Sequence, residues 1–157
     1  MTDKTADGRA GRPDAMGAAF DAARAAGAAG EVPIGAAIVR DGAVIASAGN
    51  RTIGDRDPTA HAEMLALRAA AAALGSERLA DCDLYVTLEP CAMCAAAISF
   101  ARIRRLYYAA SDEKGGAVEH GPRFFLQPTC HHAPDVYGGI RASEAAALLR
   151  GFFAARR

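Results

Sequence analysis

Apolar and polar positions along the chain follow two periods, which divide it into segments of helix and segments of strand. Helical spacing of apolar residues, runs of alanine and end signals predict four helices. These cover residues 13–29, 60–75, 90–102 and 142–157. Gly30 and Gly75 are placed to end the first two helices. Pro90 suits the first position of the third, and Ser143 lies near the predicted N-cap of the fourth.

Short apolar runs bounded by turn residues predict the strands. They lie at residues 32–40, 43–50, 83–89 and 103–110, with a short edge strand within 135–140. Asp41-Gly42 is typical of a two-residue hairpin turn, so the first two strands are expected to be antiparallel. The later strands alternate with helices, which favours parallel crossovers. The pattern therefore predicts an α/β protein with a mixed sheet.

Length and composition favour one folded domain. The 157 residues are 52% hydrophobic and 23% charged, as in a packed globular chain. No stretch approaches the roughly 20 apolar residues of a membrane helix. Residues 1–12 are expected to form a flexible tail and residues 13–157 a single domain. The tail lacks an apolar secretory segment, so a cytoplasmic location is expected.

The net charge of zero argues against a surface that coats nucleic acid broadly. Arginines nevertheless cluster, at Arg102, Arg104 and Arg105 and again at Arg156 and Arg157. A local basic patch and solvated arginines on helix faces are both compatible with this pattern.

Two of the four cysteines, Cys91 and Cys94, stand three residues apart at the start of a predicted helix. That spacing puts both sulfurs on one helix face, where the helix dipole and unpaired N–H groups favour the thiolate. A redox pair would need the same geometry, so this motif alone does not distinguish a metal site from a redox pair. A thioredoxin-like pair should follow the first strand of a βαβ unit, whereas this pair follows the third predicted strand.

His61 opens another predicted helix and offers the second half of a metal site. Alone, it is also compatible with a capping or buried histidine. Helices that follow sheet elements begin at the carboxyl edge of the sheet, so His61, Cys91 and Cys94 are expected to meet there. One imidazole and two thiolates suit zinc.

The number of ligands favours a catalytic zinc site over a structural one. Structural sites are closed by four protein ligands, whereas catalytic sites keep one position open. Five further residues could be ligands, but none has a spacing that pairs it with a helix start: Cys82, Cys130, His120, His131 and His132. Glu63, in the first helical turn, can approach the same position as His61. Zinc would activate water there, and Glu63 would take its proton and return it.

The segment HAE at 61–63, followed by PCAMC at 90–94, matches the H-x-E…P-C-x-x-C signature of zinc-dependent nucleobase deaminases. The likeness covers nearly the whole chain from about residue 14, through the segments EVPIGAAIV, DPTAHAE, LYVTLEPCAMC, AISFARIRRLYY and LLRGFFAARR. The chain resembles the bacterial tRNA-specific adenosine deaminase family.

The resemblance implies a three-layer α/β/α fold of the cytidine deaminase type, with a five-stranded mixed sheet. It implies a homodimer with one Zn²⁺ per chain that converts the wobble adenosine of a tRNA anticodon to inosine, with loss of ammonia. His61, Cys91 and Cys94 match the zinc ligands, and Glu63 matches the proton shuttle.

The resemblance also implies substrate contacts for the base, the pocket wall, a loop at the nucleotide backbone and a helix beside the anticodon loop. The matching residues are, in that order, Asn50; Val32, Ile34 and Leu88; Asp112 and Lys114; and Phe153, Arg156 and Arg157. Each also has a structural interpretation, as a turn residue, as core or as part of an amphipathic helix.

Two other functions stay open. A deaminase of free guanine or cytosine would share the zinc, Glu63 and the fold, and would differ in the pocket and the last helix. A non-catalytic, zinc-stabilised RNA-binding module would not need Glu63 and would prefer a fourth protein ligand. The loop at 115–139 departs from the familiar family pattern, and this change touches RNA contacts rather than the metal site. Within that loop, we interpret Cys130-His131-His132 as structural rather than as a second metal site.

Overall fold

The computed structural model describes residues 14–156, and within them the secondary structure comprises four α-helices, five β-strands and one short 3₁₀ helix at Phe124–Leu126. The helices are Ala15–Ala28 (α1), Ala62–Leu74 (α2), Ala92–Ala101 (α3) and Ala142–Ala154 (α4). The strands are Gly35–Arg40 (β1), Ala43–Gly49 (β2), Cys82–Leu88 (β3), Arg105–Ala110 (β4) and Asp135–Gly138 (β5). The expected tail at residues 1–12 and the expected contact residue Arg157 lie outside the described residues.

The strands form one mixed sheet in the order β2-β1-β3-β4-β5. Strand β1 is antiparallel to both β2 and β3, while β3, β4 and β5 are parallel. Asp41 and Gly42 both have positive φ, which is the conformation of a type I′ hairpin turn. The predicted hairpin, the parallel crossovers and the five-stranded mixed sheet are therefore confirmed.

Helices cover both faces of the sheet because its strands bury side chains on both sides. Ile38 of β1 and Leu84 of β3 pack with α2 and α3, whereas Ala37 of β1 packs with α1 and α4. Alternate residues of a strand point to opposite faces, so neighbours such as Ala37 and Ile38 enter different cores. The three-layer α/β/α architecture is confirmed.

Helix α1 approaches the sheet closely, and two glycines permit this. A Cβ on Gly35 would collide with the backbone of Ala19 and Ala23, and a Cβ on Gly49 would lie 2.5 Å from the Ala22 carbonyl oxygen. A side chain at either position would push α1 away from β1 and β2.

Several predicted ends of elements are wrong. Cys91 is the N-cap of α3, so Pro90 precedes the cap instead of occupying the first helical position. Helix α4 begins at residue 142 as predicted; its N-cap is Arg141, in a left-handed conformation, and Ser143 lies in the first turn. Helix α1 begins after Asp14, whose carboxylate accepts a hydrogen bond from the Gly17 N–H at 2.8 Å. Strand β1 begins only after residue 34, since Pro33 has no N–H to donate and the Ile34 N–H donates to the Val32 carbonyl at 2.8 Å.

The strand directions bring several connections to one edge of the sheet. Because β2, β3 and β4 run the same way, the segments that follow all three leave from that edge. Strand β1 runs oppositely and begins there. We call it the site edge; it gathers residues 32–34, 50–61, 89–91 and 111–120. Within residues 14–156, no helix is both long enough and apolar enough to span a bilayer.

Candidate metal centre and active site

Three donor atoms converge at the site edge. The Nδ1 atom of His61 lies 3.6 Å from the Cys91 sulfur and 3.5 Å from the Cys94 sulfur, and all three donors lie within 4.8 Å of one another. Zn–N and Zn–S bonds of about 2.1 and 2.3 Å at a tetrahedral angle place nitrogen and sulfur about 3.6 Å apart. The donor set fits zinc.

The local backbone explains why these donors face one another. His61 is the N-cap of α2 and Cys91 is the N-cap of α3, and neither side chain caps its own helix. Both side chains are therefore free to point outward from the helix ends. Cys94 lies in the first turn of α3, on the same side as Cys91.

The pKa values of the two thiols shift in opposite directions. The hydrogen bond with Cys94, assisted by its backbone N–H and by the His61 ring, lowers the pKa of Cys91 to about 5. The same bond, together with burial, raises the pKa of Cys94. A bound dication would displace the Cys94 proton, because cysteines ligate metals as thiolates.

Glu63 lies beside the donors and is only 4% exposed. Burial raises the pKa of its carboxyl to about 7, and the negative charge at Cys91 contributes to the rise. Its position in the first turn of α2 brings the carboxyl to the Cys94 thiol. A carboxyl that is neither firmly charged nor firmly neutral near pH 7 suits proton transfer in both directions.

None of the five possible fourth ligands joins the donors within the described residues. Cys82 is buried at the opposite end of β3, and the His120 ring is bonded to Glu89 at 2.8 Å. The Cys130 thiol donates to the His132 carbonyl at 3.2 Å, and the His132 ring is bonded to the Ile103 carbonyl. These contacts fit the structural interpretation of the 130–132 loop.

Residues 12–110 match the family model described as the cytidine and deoxycytidylate deaminase zinc-binding region. The tRNA-specific adenosine deaminase of Agrobacterium fabrum is 67% identical over 135 residues, which cover 86% of this chain and 89% of that protein. The chain belongs to the tRNA-specific adenosine deaminase family. The expectation of a zinc cofactor is confirmed by the matching zinc-binding region and by the converging donors.

Solved structures agree with this membership. One, from a study of A-to-I editing by tRNA:A34 deaminases at the wobble position of transfer RNA, is 66% identical with a TM-score of 0.85. The match covers 86% of this chain and 98% of that one. A guanine deaminase from Nitrosomonas europaea is 30% identical with a TM-score of 0.73, and the match covers 89% of this chain and 83% of that one.

In this adenosine deaminase family member, Asn50 has a structural contact that its sequence position did not reveal. Its buried side-chain oxygen accepts the Ala62 N–H at 2.8 Å, so Asn50 supplies the cap that His61 does not. The Asn50 N–H donates to the Ile34 carbonyl at 3.1 Å. The amide NH₂ has no hydrogen-bond partner among the described residues and can donate to a base.

The expected pocket residues Val32, Ile34 and Leu88 are half-buried at the site edge. Val32 and Ile34 precede β1, and Leu88 is the last residue of β3. The Gly35 N–H donates to the Thr87 hydroxyl at 3.1 Å, which fixes these two segments side by side. Ile34 packs against the core with α2 and α3 and Leu88 against the core with α1 and α4, so their role as one pocket wall stays a prediction.

The expected loop residues Asp112 and Lys114 form an exposed turn after β4. The Asp112 carboxylate accepts the N–H groups of Lys114 at 3.1 Å and Gly115 at 2.9 Å. Asp112 therefore shapes the turn, and the exposed Lys114 side chain is the cationic group available to a phosphate.

The expected RNA-facing residues of the last helix lie at its C-terminal end. Phe153 is 49% exposed. The Arg156 guanidinium stacks 3.4 Å from the centroid of the Phe152 ring. An exposed aromatic ring beside a stacked guanidinium is a suitable surface for unpaired bases and phosphates.

Two buried carboxylates, one within the site edge and one next to it in sequence, were missed by sequence analysis. Glu31 accepts the N–H groups of Ile53 at 3.0 Å and Gly54 at 2.7 Å, and Glu89 accepts several more. Their one sequence signal is an acidic residue directly beside an apolar strand, in EVPIG and LEPC.

Proposed function

We propose that this protein is a zinc-dependent hydrolase that converts adenosine to inosine at the wobble position of a tRNA anticodon. The observation that supports this most is the His61, Cys91 and Cys94 cluster with the buried Glu63 beside it. It occurs in a chain 67% identical to a protein named tRNA-specific adenosine deaminase.

In this proposal His61, Cys91 and Cys94 hold one Zn²⁺, and Glu63 moves protons. When bound, zinc supplies a Lewis acid that activates water and polarises the reacting group. Glu63 accepts a proton from the attacking water and delivers protons to the purine ring and the departing amine. Water replaces the amino group at C6, so adenosine and water give inosine and ammonia.

The remaining expected residues recognise the substrate. The free amide NH₂ of Asn50 donates to the purine, and Val32, Ile34 and Leu88 enclose it. The larger surface, with Lys114, Phe153 and Arg156, contacts the nucleotides around the base. A splayed single-stranded base is the form of RNA that such a pocket can accept.

The direct test is incubation of the purified zinc protein with an anticodon stem-loop that carries adenosine at the wobble position. We expect an A-to-G change on sequencing, no change with the Glu63→Gln variant, and no change with a stem-loop that carries guanosine there. Release of ammonia from free guanine or cytosine without inosine in the stem-loop would replace the proposal with the free-base alternative.

The other expected properties belong to the same proposal. Residues 13–157 act as a single deaminase domain in the cytoplasm, and two copies form a homodimer as the family resemblance implies. Sedimentation at micromolar concentration tests the dimer, since a monomer mass there would contradict it.

A further inference from the structure

One carboxylate at the site edge accepts hydrogen bonds from four backbone N–H groups. Glu89 follows β3 directly and is 2% exposed. Its Oε1 accepts the Asp112 N–H at 3.0 Å and contacts the His120 ring at 2.8 Å. Its Oε2 accepts the N–H groups of Val118 at 3.1 Å, Glu119 at 2.9 Å and His120 at 3.1 Å.

These donors come from both ends of one loop. Asp112 begins the exposed turn with Lys114, and residues 118–120 follow it. Gly116 lies between the two ends, and a Cβ there would lie 2.6 Å from the Glu89 carboxyl carbon. The loop is thus closed around Glu89, with no room for a side chain at position 116.

The same backbone segment carries two of the three metal donors, Cys91 and Cys94. Glu89 is two residues before Cys91, and the Pro90 carbonyl between them accepts the Ala117 N–H at 2.9 Å. A rigid connection therefore runs from Cys91 through Glu89 to the turn that presents Lys114. Both carboxylate oxygens are fully engaged with this loop, so Glu89 is free neither to bind a metal nor to transfer a proton.

We propose that Glu89 is a positioning residue for the RNA substrate. It holds the Asp112–Lys114 turn at a fixed place relative to the metal donors. The nucleotide backbone at the turn and the reacting base at the metal site are therefore bound at a fixed distance from each other. This inference rests on the proposed function. A loop already ordered before binding loses less conformational entropy when RNA binds, so Glu89 acts on affinity more than on the chemical step.

The test replaces one oxygen of Glu89 and compares it with the same change elsewhere in the loop. In Glu89→Gln an NH₂ group must face either the Asp112 N–H or the three N–H groups of residues 118–120, which loosens the loop. Glu113→Gln makes the same chemical change on an exposed residue of the same turn. Zinc content, amide hydrogen exchange of residues 112–120, and kcat and KM for the wobble-adenosine stem-loop are measured for each.

We expect Glu89→Gln to keep one zinc per chain and to exchange the amides of residues 112–120 faster than wild type. Its KM should rise about tenfold while kcat changes by less than about threefold. Glu113→Gln should keep wild-type amide exchange and a KM no higher than wild type. Gly116→Ala, which forces the loop off an intact Glu89, should reproduce the higher KM.

The inference is overturned if Glu89→Gln loses zinc, or if its loop loosens while KM stays at the wild-type value. In the first case Glu89 supports the metal site, and in the second it is merely structural. A wild-type protein that makes no inosine at all would instead refute the proposed function, and that result is seen before any variant is compared.

Discussion

At the scale of single residues, the helix that carries His61 and Glu63 is capped by a side chain from another element. Asn50 follows β2 and accepts the Ala62 N–H, one of the donors that the first turn of a helix leaves unpaired. The same amide presents its NH₂ group for a base. One residue thus joins the orientation of the metal donor to the proposed recognition of the purine.

These two roles of Asn50 can be separated by substitution. Asn50→Ala removes the cap, and we expect it to lower the free energy of unfolding by about 1 kcal/mol. Asn50→Asp keeps an oxygen for the Ala62 N–H and should retain most of that stability. Both variants lose the NH₂ donor, so both should raise KM for the stem-loop. Chemical denaturation and steady-state kinetics provide the measurements, and full activity in Asn50→Asp would contradict base recognition.

Glu63 is expected to act on turnover without holding the metal. Glu63→Gln preserves the size of the side chain and removes its ability to accept a proton. We expect kcat to fall by about 10²–10⁴-fold while the zinc content stays at one per chain. Metal analysis of the same preparation is the control, since loss of zinc would assign Glu63 to the ligand set instead.

The sequence predicted the residues that carry the chemistry of the site better than the residues that hold the surrounding backbone in place. His61, Cys91, Cys94 and Glu63 could be found because donor chemistry restricts residue type and spacing. The cap formed by Asn50 and the clamp formed by Glu89 could not be found in this way. Their partners are backbone N–H groups distant in sequence, and only the fold shows which of these groups lack a strand or helix partner.

At the scale of elements, the hydrophobic pattern predicted which segments form helices and strands, but not where each one ends. Pro90 and Ser143 were both placed inside or near a cap by residue preference alone. In the folded chain Cys91 and Arg141 take the N-cap positions. The direction from which the preceding loop enters the helix decides which residue is the last with non-helical backbone angles.

The approach of α1 to β1 gives a test at this scale. Gly35→Ala should destabilise the protein by about 3 kcal/mol or more, because its Cβ would collide with the backbone of α1, which can only move away as a whole helix. Gly42→Ala is the matched control, since Gly42 has a positive φ and no atom within 4 Å of an added Cβ. Only backbone strain of about 1 kcal/mol is expected there. Equal losses in thermal unfolding would contradict the close-packing argument.

At the scale of the whole molecule, zinc connects the starts of two helices whose ligands, His61 and Cys91, are thirty residues apart in the sequence. His61 occupies the N-cap position of α2 and Cys91 that of α3. A ligand bound only by the folded state stabilises it by about 2.7 kcal/mol at a hundredfold excess over its Kd. We therefore expect a chelator to lower the melting temperature and added zinc to restore it.

Chelation should also change the reactivity of the cysteines. With a pKa of about 5, Cys91 is a thiolate at neutral pH once the metal is removed. Burial raises the pKa of Cys82, which should stay unreactive. Iodoacetamide followed by peptide mass analysis should find Cys91 modified only after chelation, and labelling of Cys91 in the zinc protein would contradict metal ligation.

The hairpin turn at Asp41-Gly42 lies at the end of β1 opposite the site edge. This separation suggests where the molecule can be extended. A fluorescent reporter or an affinity handle inserted between Asp41 and Gly42 would project from the far edge of the sheet, clear of the metal donors and of the loops proposed to contact RNA. Such a fusion should keep the turnover of the parent protein, so immobilised or reporter-linked versions can be built at this point.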